Sequence, residues 1–205
     1  MTGPVASALR VSWSCVIWSL VSGAASLVVG VVAGSLSLGG LGASVLIDVI
    51  SSVVLIWRFR REQGSGEFPE TAERRAQLVA AGGLLAIGGT LIVTGIQHLA
   101  AHATPDAPVL ALGLAAANLV VLPILAQWKY RVAAAVGSLA LRTDAHITMV
   151  GTSTAGLSLL GLGLDRGLGW WWADAVAALV IGAVAADQGR RSISAVGEAP
   201  DEPEA

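Results

Sequence analysis

The segment LSLGGLGASVLIDVISSVVLIWRFRR, residues 36–61, decides the fold class. From Leu36 to Trp57 it is apolar, and crossing the hydrocarbon core of a bilayer takes about 20 such residues. It stops abruptly at the basic cluster Arg58, Arg60 and Arg61. Near its middle stands Asp48. A carboxylate at that depth costs about 2.5–3.5 kcal/mol on insertion scales, so it is expected to face a bundle interior, a water-filled cavity or a cation. Asp144 and Asp174 occupy other apolar segments. Together they point to a polytopic membrane protein that binds or moves something positively charged.

Composition supports this class. Hydrophobic residues make up 55%, charged residues 13%, and mean hydropathy is +0.74, against roughly 25% charged residues in soluble domains. Twenty-five glycines suit close helix approach in lipid. The lone cysteine, Cys15, excludes an intrachain disulfide. The first apolar stretch is too long for a cleavable signal and reads as a retained anchor.

Six spans are predicted, at 11–33, 38–57, 77–99, 109–128, 136–164 and 170–186, the last one short. The expected organisation is an N-terminal segment over 1–10, a six-helix transmembrane domain over 11–191 and a disordered acidic tail over 192–205, with no soluble domain. Pro123 is expected to kink the fourth helix. Ten of the twelve Lys and Arg fall at the N-terminus, in the second and fourth connections or after helix six. An even span count and the positive-inside rule then put both termini in the cytoplasm of a multi-pass cell-membrane protein, with the 63–73 connection on the same side. Trp13, Trp57 and Trp128 suit the inner interface, and Trp170, Trp171 and Trp172 the outer one.

Helical spacing groups the polar residues. Ser44, Asp48, Ser51 and Ser52 share one face of the second helix. Asp144, Thr148, Gly151, Thr152 and Ala155 form a polar and small-residue stripe on the fifth. Two such stripes facing each other offer oxygen ligands to a divalent cation. Alternatively, the hydroxyls bond back to the preceding turn.

Beyond these stripes, GSLSLGGLGASVLIDVISSVVLIWRFRR resembles the second transmembrane helix of the cation diffusion facilitator (cation efflux) family, including its vesicular zinc-binding branch. LALRTDAHITMVGTSTAGLSLLG is similar to that family's fifth helix, and WWWADAVAALVIGAVAADQGRR to its sixth. The resemblance implies an all-α bundle of six transmembrane helices that exports zinc or a similar divalent cation in exchange for protons, as a homodimer. It implies no enzyme activity, no organic cofactor and no nucleic-acid partner. The chain departs from the family's ligand pattern: Asp48 falls on the second ligand position of helix two, but the first is Ser44. In helix five Asp144 matches the acid preceding the ligands, whose own positions hold Ile147 and Gly151. No register restores the four-ligand tetrahedral site that zinc favours.

The expected metal residues are therefore Asp48, Ser44, Asp144, His146 and Asp174. At about 100° per residue His146 points away from the Asp144 stripe. A bond to a neighbouring helix competes with ligation there. Asp174 opens the sixth helix, where the helix dipole also stabilises a carboxylate. His98 and His102 have the i, i+4 spacing of a metal pair near the outer surface. The run Gly151-Thr152-Ser153-Thr154-Ala155 loosely resembles the surroundings of an intramembrane serine nucleophile. His146 stands seven residues from Ser153, about 10 Å along a helix, which is too far for a base. The stronger rival to transport is a transport-inactive metal-binding or regulatory bundle of the same fold.

Overall fold

Hydrocarbon offers no partners to backbone amides and carbonyls, so a chain this apolar must satisfy them internally. Among the described residues it does so by helix, with no strand. A computed structural model describes residues 4–63, 70–102 and 109–197. Six helices follow in order: α1 Pro4–Ala33, α2 Leu36–Gln63, α3 Glu70–Ala101, α4 Val109–Val136, α5 Leu139–Leu168 and α6 Ala173–Gly197. The first five are long and apolar enough to cross a membrane. α6 is shorter and carries Asp174, Asp187, Arg190 and Arg191.

The helices outrun the predicted spans. α1 begins at Pro4, where a proline costs no hydrogen bond, and α6 continues to Gly197. α4 passes through Pro123 and eight residues beyond Trp128. It stops at Gly137, whose φ of +67° is left-handed. Ser138 then caps α5 by accepting a hydrogen bond from the Leu141 amide. Residues 64–69 of the 63–73 connection and residues 198–205 of the tail lie outside the described residues.

Packing is most intimate in three pairs, α1 with α2, α3 with α6, and α4 with α5. Two of these depend on glycine. A Cβ at Gly88 would sit 2.7 Å from the Gly182 carbonyl oxygen, and one at Gly189 would sit 2.8 Å from that of Ala81. On the other pair, Gly30 abuts the backbone of Gly39, and Gly42 that of Leu27. With no hydrophobic drive between helices in lipid, such close backbone contact supplies the association. Val28, Val32, Ile96, Val120, Ile124 and Leu160 point outward, as a lipid-facing surface requires.

Besides a small cluster of Leu91, Ala178 and Ile181 on α3 and α6, two apolar layers fill the interior of the described bundle. One contains Leu38, Leu41, Val45, Ala111, Ala115, Leu122, Ala155 and Leu162. The other contains Ala8, Val11, Leu55, Val132, Ala133 and Leu141. On α2, α4 and α5 the residues between these layers in sequence include Asp48, Ser52, Lys129, Asp144 and Thr148, all buried. A polar layer is thus sealed between two apolar ones.

Candidate cation centre

α2 and α5 lie side by side, and both pack on α4. Each contributes a carboxylate to the polar layer, Asp48 at 6% exposure and Asp144 at 4%. Lys129 of α4 supplies the countercharge. It is fully buried, and its Nζ lies 2.7 Å from Asp144 Oδ2. The same ammonium donates to Thr148 Oγ1 at 2.8 Å and to Ser52 Oγ at 3.2 Å. An ammonium has three donors, and here each has an oxygen.

The remaining contacts connect the two carboxylates. Ser52 Oγ donates to Asp144 Oδ1 at 3.2 Å. Thr148 Oγ1 is placed to donate to its own helix at the Asp144 carbonyl, 3.0 Å, or across to Asp48 Oδ2 at 3.5 Å. Cys15 of α1 reaches Asp48 Oδ2 from the other side, Sγ to oxygen 3.7 Å. With both acids ionised and Lys129 protonated, the group carries a formal charge of −1. A lone buried ion would be far more costly than this paired arrangement.

A cavity of about 30 Å³ adjoins the layer on the Asp48 side. Its polar lining is Ser44, Asp48, Thr148, Thr154 and Gln188, and Leu84, Leu122, Ile147 and Val184 supply apolar walls. The volume has room for water, and polar partners are present to hold it.

Of the expected site residues, the structure brings Asp48, Ser44 and Asp144 to this region. Ser44 donates to the Leu41 carbonyl at 2.9 Å while bordering the cavity. The Ser51 side chain lies outside the described residues. His146 is exposed, with Nδ1 3.5 Å from the Tyr130 hydroxyl. Asp174 is buried elsewhere, at the start of α2. It accepts from Ser35 Oγ at 2.8 Å, from the Leu36 amide at 2.9 Å and from Ser37 Oγ. An acid opening α6 therefore caps α2, whose orphan amides attract negative charge. His98 and His102 do not share a helix face, because α3 ends at Ala101 and His102 turns left-handed to stack on Trp171 at 4.4 Å. Gly151 contacts Leu122 of α4, at 3.5 Å from a Cβ, rather than admitting α2. Among the described residues no three His, Cys, Asp or Glu converge in a metal-ligand group.

Lys129 is the residue that the sequence reading placed wrongly. It was counted with the basic connection after a helix ending at Trp128, at the inner surface. Instead, α4 continues to Val136 and carries Lys129 inside. The signal was present: Ala111, Ala115, Asn118, Leu122, Ala126, Lys129 and Ala133 recur at helical spacing on one buried face. Lys129 is also the only lysine in the sequence.

No curated protein matches the sequence. The description of the cation efflux transmembrane domain matches residues 12–197, which takes in all six helices. That match covers most of the sequence, and the chain belongs to the cation efflux family of membrane transporters, whose substrates are divalent metal cations.

Proposed function

We propose that the chain exports a divalent cation across the cell membrane in exchange for protons, through an altered centre built on Asp48 with Asp144 as second charge. The observation that carries this reading is the buried Asp48 carboxylate, near the middle of the apolar span 36–57, beside a cavity. A carboxylate held there at a cost is a substrate-pathway residue by default. Ser44 borders the same cavity as a further oxygen donor, and water completes the shell. His146 and Asp174, engaged elsewhere, stand outside this donor set.

The donors are mostly oxygen, which suits Mn²⁺ or Mg²⁺ as well as zinc, so discrimination for zinc is weak. Protons compete for the same carboxylates, and cation binding falls as pH falls. Both termini face the cytoplasm, in line with the basic residues flanking the spans, and the working unit is a homodimer. Cysteine labelling of the 63–73 connection from outside intact cells, and crosslinking in the membrane, test these two points.

A second reading has its own support. Lys129 stands between the cation-binding elements as a permanent positive charge, which suits a transport-inactive bundle that keeps the fold. Flux decides between them. Proteoliposomes holding the purified chain, loaded with a Mn²⁺- and Zn²⁺-sensitive dye under an imposed pH gradient, should show uptake that Asp48→Asn abolishes. Uptake unchanged by Asp48→Asn removes Asp48 from the cation pathway, and no uptake by the parent removes the transport reading.

A further inference from the structure

Lys129 has no counterpart in a simple site of carboxylates and hydroxyls, and its environment is that of a bound ion. It is fully buried among one carboxylate and two hydroxyls at 2.7–3.2 Å. The acceptors come from two different helices, α2 and α5, and the same helices carry Asp48 and Asp144. Thr148 links the ammonium to Asp48, since its Oγ1 lies within hydrogen-bonding reach of both. The ammonium therefore occupies the position at which a free cation would gather the oxygens of both helices.

We propose that the Lys129 ammonium is a tethered occupant of the cation centre, so that it and a free divalent cation compete for the Asp144, Thr148 and Ser52 oxygens. The inference deepens the assignment of Asp48 and Asp144 as the cation centre and rests on that reading. The physical basis is charge and geometry. With the ammonium seated and both acids ionised, the centre carries −1, and the Asp144, Thr148 and Ser52 oxygens are already occupied. With it withdrawn, two carboxylates on facing helices serve one divalent ion. Lysine suits such a role because its ammonium is a compact charge on a flexible four-carbon stem, whereas a guanidinium is planar and rigid. The cavity lined by Asp48 and Thr148 supplies the approach.

The test uses Mn²⁺ alone as the probe, its free concentration read by electron paramagnetic resonance against the full chain in detergent. Lys129→Met keeps the volume of the stem and removes the charge. It should bind Mn²⁺ roughly tenfold or more tighter than the parent, as expected when a unit charge in contact with the site is removed. Lys129→Arg keeps the charge and should bind no tighter than the parent. Lys129→Met combined with Asp144→Asn removes both charges of the pair, so it preserves neutrality where the single variant fails to fold. It should lose the gain. A second measurement needs no variant. Because the chain has a single lysine, reductive methylation reads Lys129 alone against the N-terminal amine. Under Mn²⁺ saturation the Lys129 rate should rise severalfold as the ammonium leaves its oxygens.

Tighter binding by Lys129→Met with a faster Lys129 reaction in the parent supports the proposal. If the parent moves Mn²⁺ but folded Lys129→Met binds no tighter, or Lys129 reacts no faster at saturation, the tethered occupant is wrong and the transport reading stands. If only Lys129→Met takes up Mn²⁺, the occupant is confirmed as a permanent plug and the transport reading falls. If neither chain binds, both are wrong.

Discussion

Lys129 Nζ and Asp144 Oδ2 stand 2.7 Å apart with neither residue more than 4% exposed. This ion pair ties the last two turns of α4 to the second turn of α5. Removing Asp144 strips the ammonium of its contact carboxylate, and removing Lys129 leaves the buried carboxylates without their countercharge.

Asp144→Asn should therefore destabilise the protein strongly, by about 3–5 kcal/mol, the usual cost of leaving one member of a buried pair without its partner. Thermal unfolding in detergent reads the loss. Adding Lys129→Met to Asp144→Asn should restore most of it, since neutral replacement of both partners is commonly close to neutral. A double variant as unstable as the single would show that Asp144 contributes through something other than the pair.

Asp48→Asn should behave differently. The amide has the same shape and keeps an acceptor oxygen toward Thr148 and Cys15, which lie 3.5 Å and 3.7 Å from Asp48 Oδ2. Unfolding temperature should stay within a few degrees of the parent while Mn²⁺ binding drops at least tenfold, the order expected when a carboxylate charge in contact with the cation is lost. Equilibrium binding on the folded variant checks the second half.

Asp174→Ala should weaken the fold without touching the cation centre. It removes an acceptor of three hydrogen bonds from Ser35, Leu36 and Ser37, and leaving such buried donors unmatched costs about 1–3 kcal/mol. The Mn²⁺ affinity of the folded fraction should equal that of the parent. A matching loss of affinity would move Asp174 into the cation pathway.

Gly182→Val should disrupt the α3–α6 pair. Even a Cβ at Gly182 would lie 2.9 Å from the Gly88 carbonyl oxygen, and overpacking of this kind costs about 1–3 kcal/mol. Gly113→Ala on α4, where a Cβ meets open space, is the matched control and should be silent in the same unfolding assay.

Much of the fold was legible because hydrocarbon leaves few options. Apolar length gave six helices, and the Ser44–Asp48–Ser52 and Asp144–Thr148 stripes brought α2 and α5 together, since buried polar groups must meet. His146 followed its helical angle to an exposed position. What the sequence concealed was Lys129 and the extent of α4. Periodic burial continues for two turns past Trp128, but a lysine beside Trp128 and Arg131 reads as an interfacial anchor unless a carboxylate on another helix is known to await it. The part played by Asp174 was hidden for a similar reason. Capping α2 from α6 is a contact between segments far apart in the chain, and no local pattern encodes it.

The glycine contacts of α3 with α6 have a mechanical consequence. That pair is locked backbone to backbone, whereas its contacts with α2 are sparser. Leu84 of α3 and Val184, Ala185 and Gln188 of α6 wall one side of the cavity, and Asp48 and Thr148 stand on the other. Asp174 on the start of α2 and Gly161 against Ala173 and Ala177 pin one end of this unit. Pivoting about that end would widen or close the gap while leaving the Lys129–Asp144 bond between α4 and α5 intact.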